Sequence, residues 1–214
     1  MLELSLKTLI SYLLGTLLGG LILGRLRGVD IRTMGSGNAG ATNALRTQGR
    51  VFALLVFLLD IGKAVVAVSW VPGLVLPGVG WDPQVSRQWL VLTCGFAVIV
   101  GHVYPVWFGF RGGKGVATVV GVIAALEPRL LLPLFLVWFG VVLLTGYVGL
   151  ASMLAGAGIV AAVYGFEPGN TALLEFCILV TAFVIFTHRS NIARMVAGTE
   201  HRVRRLWLFR PRAT

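Results

Sequence analysis

Long apolar runs alternate along this chain with short segments rich in glycine, amides and cations. The apolar runs cover 4–23, 51–71, 89–103, 115–126, 130–146, 148–164 and 171–187. At a 1.5 Å rise per residue, about 20 apolar residues cross the roughly 30 Å of a bilayer's hydrocarbon. The pattern therefore predicts an all-α, polytopic membrane helical bundle of about seven transmembrane helices, read as one domain over 1–214. The runs at 89–103 and 115–126 fall short of a full crossing and are expected to be tilted, paired or only partly spanning. Pro128 separates the fourth run from the fifth, and Gly146 to Gly149 separate the fifth from the sixth. Both boundaries are soft, so five or six spans also fit. Residues 8–23 read as a membrane helix and not a cleaved leader, because Gly24, Arg25, Leu26 and Arg27 follow with no small-residue cleavage site.

Composition supports this reading. The chain is 57% hydrophobic and only 12% charged, far less charge than a soluble domain of this length exposes. A net charge of +10 would suggest nucleic acid in a soluble protein. Here the cations sit beside the apolar runs, where the positive-inside rule places them, and no nucleic-acid partner is expected. Segments 24–50, 104–114 and 188–214 hold 14 of the 18 Lys and Arg, whereas the opposite loops hold only Arg87 and Arg129. The cation-rich side is thus expected to be cytoplasmic, with the N-terminus outside and the C-terminus inside. Cys94 and Cys177 each lie within an apolar run and are expected to be buried, reduced thiols. No carboxylates cluster in a metal-binding pattern, so neither a metal nor another cofactor is implied.

Three polar segments fall on that one side. The first runs from Gly35 through Ser36, Gly37, Asn38, Gly40, Thr42 and Asn43 to Arg46. It matches G-x-G-x-x-G formally, but it follows a membrane helix and no strand, so the dinucleotide reading fails. The physics of the loop remains: glycines let successive N–H groups curl around an anion, and Arg46 can close on phosphate oxygens with a forked pair of bonds. The second segment contains His102, Tyr104 and Pro105, then Arg111, Gly112, Gly113, Lys114, Gly115 and Thr118. It is not a Walker loop, yet a Lys flanked by glycines at a helix start suits phosphate. The bland reading, a positive-inside anchor, does not require glycine on both sides. His102 by itself reads as a packed histidine. The third segment carries His188, Asn191 and Arg194 on one broad helical face, followed by Gly198 and Glu200. Arg202, Arg204, Arg205, Arg210 and Arg212 read as a basic tail meeting anionic lipid.

Two features inside the spans read as structural. Gly15-x-x-x-Gly19 and Gly20-x-x-x-Gly24 predict close helix packing. Asp60 and Lys63 lie three apart within the second run, where ionised groups are costly, and are expected to pair or to face the interior.

The three segments together resemble the PlsY family, the bacterial acyl-phosphate:glycerol-3-phosphate acyltransferases, over essentially the whole chain. The matching patterns are Ser36-Gly-Asn38-x-Gly40-Ala-Thr42-Asn43-x-x-Arg46, His102-x-x-Pro105 with Phe110-Arg-Gly-Gly-Lys114-Gly-Val-Ala-Thr118, and His188-x-x-Asn191-Ile-x-Arg194 with Gly198-x-Glu200. Arg111 stands where the family usually has Lys, Thr187 where a basic residue is common, and Gly149 where Ser is common; Ser152 offers a hydroxyl nearly one turn on.

The resemblance implies a multi-pass enzyme of the bacterial inner membrane with its site facing the cytoplasm. Its substrates would be acyl phosphate and glycerol 3-phosphate, its product lysophosphatidic acid, and it would need no obligatory protein partner. By matching, His188, Lys114, Arg46 and Asn191 are the expected catalytic residues. Ser36, Gly37, Asn38, Gly40, Thr42, Asn43, Gly112, Gly113, Arg194 and Glu200 are the expected substrate-binding residues. Arg194 and Glu200 could instead form an ion pair. No Ser or Cys sits in a nucleophile-elbow context, which favours direct attack by the glycerol hydroxyl. No His is followed five residues later by Asp, because those positions hold Trp107, Ala193 and Leu206; this argues against a thioester donor. The base is either the substrate's own phosphate or His188. The alternative from another class is a transporter for an organic phosphate, which would spread its polar groups along helix depth.

Overall fold

The computed structural model describes residues 1–203 and 206–209, and every regular element among them is helical. The helices are α1 (Leu2–Gly15), α2 (Gly19–Leu26), α3 (Ala41–Gln48), α4 (Arg50–Ser69), α5 (Arg87–Val103), α6 (Val116–Leu126), α7 (Leu131–Thr145), α8 (Val148–Phe166), α9 (Thr171–Thr187) and α10 (Arg189–Val196). Each of the seven apolar runs coincides with one or two of them. Among the described residues four stretches are long and apolar enough to cross a membrane, and six if each of two bent helix pairs counts as one span. The run at 89–103 lies in a longer stretch, Arg87–Phe108, whereas α6 stays short at 11 residues. The chain divides into two compact units, Met1–Leu126 and Glu127–Thr214.

In the first unit, α1 and α5 run parallel: Glu3 pairs with Arg87 at one end, and Gly15 meets Gly101 at the other. A Cβ on Gly15 would lie 2.3 Å from the Val98 carbonyl oxygen, and one on Gly101 would lie 2.1 Å from that of Tyr12. Glycine here lets two backbones touch, the packing expected from the small-residue spacing. Helix α4 runs antiparallel to α1, with Lys7 reaching the Pro72 carbonyl and Lys63 that of Gly15.

The first apolar run is not one helix. It breaks between Gly15 and Gly19 with a 44° bend. A break in hydrocarbon exposes carbonyls and N–H groups that lipid cannot satisfy. Lys63 Nζ donates to Gly15 O (2.9 Å) and Leu17 O (3.0 Å), while Asp60 Oδ1 accepts from Gly19 N (3.3 Å). The two side chains are buried and also pair with each other at 3.0 Å. An ion pair inside the membrane therefore serves as the cap for both sides of a helix break, which is why charge is tolerated there.

In the second unit, α9 bends into α10 by 53° at His188. The chain beyond α10 returns to the end of α7, where Gly146 adopts a left-handed conformation (φ 74°). Val203 N donates to Gly146 O at 2.8 Å, Trp207 Nε1 to Leu144 O at 3.1 Å and Leu208 N to Leu143 O at 2.9 Å, so the orphan carbonyls of α7 find donors. Arg202 stacks on the rings of Tyr147 (4.4 Å) and Trp207 (4.2 Å). Arg204, Arg205, Arg210 and Arg212 of the basic tail lie outside the described residues.

Candidate active site

The first unit builds two glycine-rich loops. Gly35 and Gly37 both have positive φ, 56° and 71°, which fold the first loop back on itself. Its keystone is Asn43, buried in the first turn of α3. Its amide nitrogen donates to the carbonyls of Ile31 (2.8 Å), Asn38 (2.9 Å) and Met34 (3.1 Å), and its oxygen accepts from Ser36 N (2.9 Å). The Asn43 side chain is thus committed to the loop itself. Asn38 Oδ1 accepts from Gly40 N at 2.9 Å. Ser36, Gly37, Thr42 and Arg46 stand exposed around this frame.

The second loop follows α5. Gly112 N donates to Val103 O and Gly113 N to His102 O, each at 3.1 Å. Gly115, with φ 85°, then turns the chain into α6, leaving Lys114 half-buried at the loop's edge. Arg32 ties the two loops together. Its Nη1 donates to the carbonyls of Phe108 and Arg111, each at 3.2 Å, while its Nε and Nη2 hold Asp30. The Arg32 guanidinium in turn holds the Asp30 carboxyl below its usual range. Arg32 belongs to none of the three polar segments. Its only signal in the sequence is an arginine placed two residues after an aspartate.

The third polar segment builds up within the second unit. His188 is buried, and its Nδ1 lies 2.8 Å from Val184 O. A carbonyl only accepts, so Nδ1 carries a proton and the bond fixes the ring against its own helix. Asn191 Nδ2 donates to Glu200 Oε1 (2.8 Å), and Arg194 Nε to Glu200 Oε2 (2.6 Å). Glu200 thus joins Asn191 and Arg194 into one chain, and the Arg194–Glu200 ion pair is present.

Gly149 packs against Asn191, where a Cβ would lie 3.0 Å from both Asn191 Cβ and Cγ. Ser152 is buried, donating to Val148 O at 2.9 Å and accepting from Trp138 Nε1 at 3.4 Å, so its hydroxyl is held within its own helix neighbourhood. Cys94 and Cys177 are free and buried. Among the described residues no three His, Cys, Asp or Glu side chains gather closely enough to hold a metal ion.

A helical membrane protein with two braced, cation-bearing glycine loops and a buried, oriented histidine has parts that suit an enzyme acting on phosphorylated substrates. Comparison with known proteins gives the family. The family model described as glycerol-3-phosphate acyltransferase matches residues 5–198. The glycerol-3-phosphate acyltransferase of Aquifex aeolicus is 42% identical over 194 residues, covering 90% of this chain and 95% of that protein. The Agrobacterium fabrum enzyme is 40% identical, covering 94% and 92%. A crystal structure of PlsY, an integral membrane glycerol 3-phosphate acyltransferase, in its glycerol 3-phosphate form has a TM-score of 0.78 at 39% identity, covering 93% of this chain and 94% of that one. Its lysophosphatidic acid form has a TM-score of 0.76 at 38% identity, with the same coverage. The chain belongs to the glycerol-3-phosphate acyltransferase family. Relatives of this kind over nine-tenths of the chain do not favour the transporter alternative.

Proposed function

We propose that this chain transfers a fatty acyl group from acyl phosphate to the 1-hydroxyl of glycerol 3-phosphate, forming lysophosphatidic acid and inorganic phosphate. Both units belong to one acyltransferase domain over 1–214, and the charge asymmetry of the loops supports a bacterial inner-membrane enzyme working at the cytoplasmic face. The observation that carries the reading is the Arg32 tie, which braces two anion-binding loops within one unit. A donor and an acceptor that each bear phosphate require two such grips. Arg46 and Lys114 supply fixed charge, Ser36, Thr42 and the backbone N–H groups supply donors, and Asn38 and Asn43 hold the first loop in shape.

In the reaction the hydroxyl oxygen attacks the acyl carbonyl carbon. The new ester C–O bond forms, the bond from the acyl carbon to the phosphate oxygen breaks, and phosphate leaves with that electron pair. The hydroxyl proton passes to the departing phosphate, so the protein supplies position and charge. The buried cysteines and the engaged Ser152 offer no nucleophile, in keeping with direct transfer. His188 and Asn191 orient the glycerol phosphate for that attack.

Purified protein supplied with glycerol 3-phosphate and, separately, acyl phosphate, acyl-CoA or acyl-carrier protein tests the donor. Lysophosphatidic acid is expected with acyl phosphate alone, and activity only with the thioesters would overturn the assignment. A second reading makes His188 the general base, and its Nδ1 bond to Val184 O supports it by orienting the ring as such a base requires. His188→Gln keeps a hydrogen-bond acceptor but cannot take a proton. We expect kcat to fall by about tenfold or less, because loss of a true general base removes about 10²–10⁴-fold. A fall in that larger range with unchanged KM would establish the histidine as base.

A further inference from the structure

His102 stands between two features with no obvious reason to be connected. On one side is the capped break between α1 and α2; on the other is the glycine loop that carries Lys114. The ring is buried near the end of α5, with its Nδ1 2.9 Å from Lys63 Nζ and 3.4 Å from Asp60 Oδ1. Lys63 has three protons. Two go to Gly15 O and Leu17 O, and the third lies between Asp60 Oδ1 and His102 Nδ1. An ammonium only donates, so a charged Lys63 meets a lone pair on Nδ1, which puts the ring's N–H on Nε2. That nitrogen lies against Gly113: a Cβ built there would be 2.0 Å from Nε2, and the Gly113 N–H is bonded to the His102 carbonyl.

We propose that His102, held by the Asp60–Lys63 pair, is a positioning residue that sets the height of the Gly112–Gly113–Lys114 loop and thereby the grip of Lys114 on substrate phosphate. The same pair fixes where α2 leaves the break. Since α2 leads into the first glycine loop, one buried triad holds the approaches to both loops of the unit. This explains glycine at 113 without appeal to φ, which is not positive there: the histidine ring occupies the space a side chain would need. It also explains why a helix break inside the membrane is stabilised by ionisable groups, where apolar packing could not reach the histidine.

The inference rests on Lys114 being a phosphate clamp, and the experiment separates the two claims. Lys114→Ala alone tests the clamp, because an unchanged KM for glycerol 3-phosphate and for acyl phosphate would remove that reading. With the clamp established, His102→Leu is expected to raise the KM of a phosphate substrate about tenfold, as a small misplacement of a binding group does. His102→Gln, which still offers Lys63 an acceptor, is expected to recover most of it. Gly113→Ala presses on the same ring from the loop side and is expected to raise KM similarly. Combined with His102→Ala, which vacates the space, it should add no further loss. An unchanged KM in folded His102→Leu, or independent addition of the position 102 and 113 effects, would overturn the proposal. Should His102→Leu fail to fold, Gly113→Ala decides alone, and an unchanged KM there also overturns it.

Discussion

Lys114→Ala is expected to lower kcat/KM for acyl transfer by about 10³-fold, at the upper end of what loss of one preorganised electrostatic group removes. The reasoning starts from the loop. Lys114 follows two glycines whose N–H groups are bonded to the end of α5, and it precedes a glycine with φ 85° that turns the chain into α6. The ammonium is therefore presented from a braced frame, and in the proposed reaction it would meet developing negative charge on the leaving phosphate with little reorganisation. A membrane-edge lysine serving only as an anchor would tolerate any cation. Lys114→Arg then discriminates: it keeps the charge, but its planar fork cannot occupy a site built for a point charge, so at least a tenfold deficit should persist. Steady-state kinetics on detergent-solubilised protein with thermal melting as a control measures both. Full activity in the arginine variant would mean that Lys114 only marks topology.

The seven helical runs were legible because periodicity and length carry that signal without help from elsewhere in the chain. The break between Gly15 and Gly19 was not legible. Thr16, Leu17 and Leu18 look like continuing membrane helix, and what makes the break stable is the Asp60–Lys63 pair more than 40 positions away. The pair itself stood out as two charges in an apolar run, but its purpose needed three dimensions.

A similar limit applies to the first loop. Ser36, Asn38 and Asn43 read alike as polar groups for phosphate, yet Asn43 is turned inward and spent on four backbone groups while Ser36 is exposed. Spacing cannot tell a donor that faces a ligand from one that braces the loop. Gly149 is the reverse case. As a departure from the family pattern it looked like a missing hydroxyl, but here a Cβ would crowd Asn191 at 3.0 Å, so glycine at this position leaves room for the amide side chain. Ser152 does not offer the missing hydroxyl, because its oxygen is already bonded to Val148 O and Trp138 Nε1.

Glu200→Ala should reduce acyl transfer by about 10²-fold, with Glu200→Gln retaining activity to within about tenfold. Glu200 is the buried acceptor shared by Asn191 and Arg194, at 2.8 and 2.6 Å. Removing it affects the two partners differently. The Arg194 side chain is 37% exposed, so water compensates it and little stability is lost on that side. Asn191 is only 7% exposed, and without Glu200 its amide loses a charged acceptor that water does not easily replace. A bond of that kind contributes about 1.5–3 kcal/mol, and its loss also releases the orientation of an amide proposed to hold the substrate. Glutamine restores a carbonyl oxygen for Asn191 while discarding the negative charge that Arg194 sees. The two variants thus separate orientation of Asn191 from neutralisation of Arg194. Equal, large losses in both would mean that the charge is what matters and that Glu200 acts through Arg194. Melting curves recorded alongside activity would show whether either loss follows from unfolding, which is not expected for Glu200→Gln.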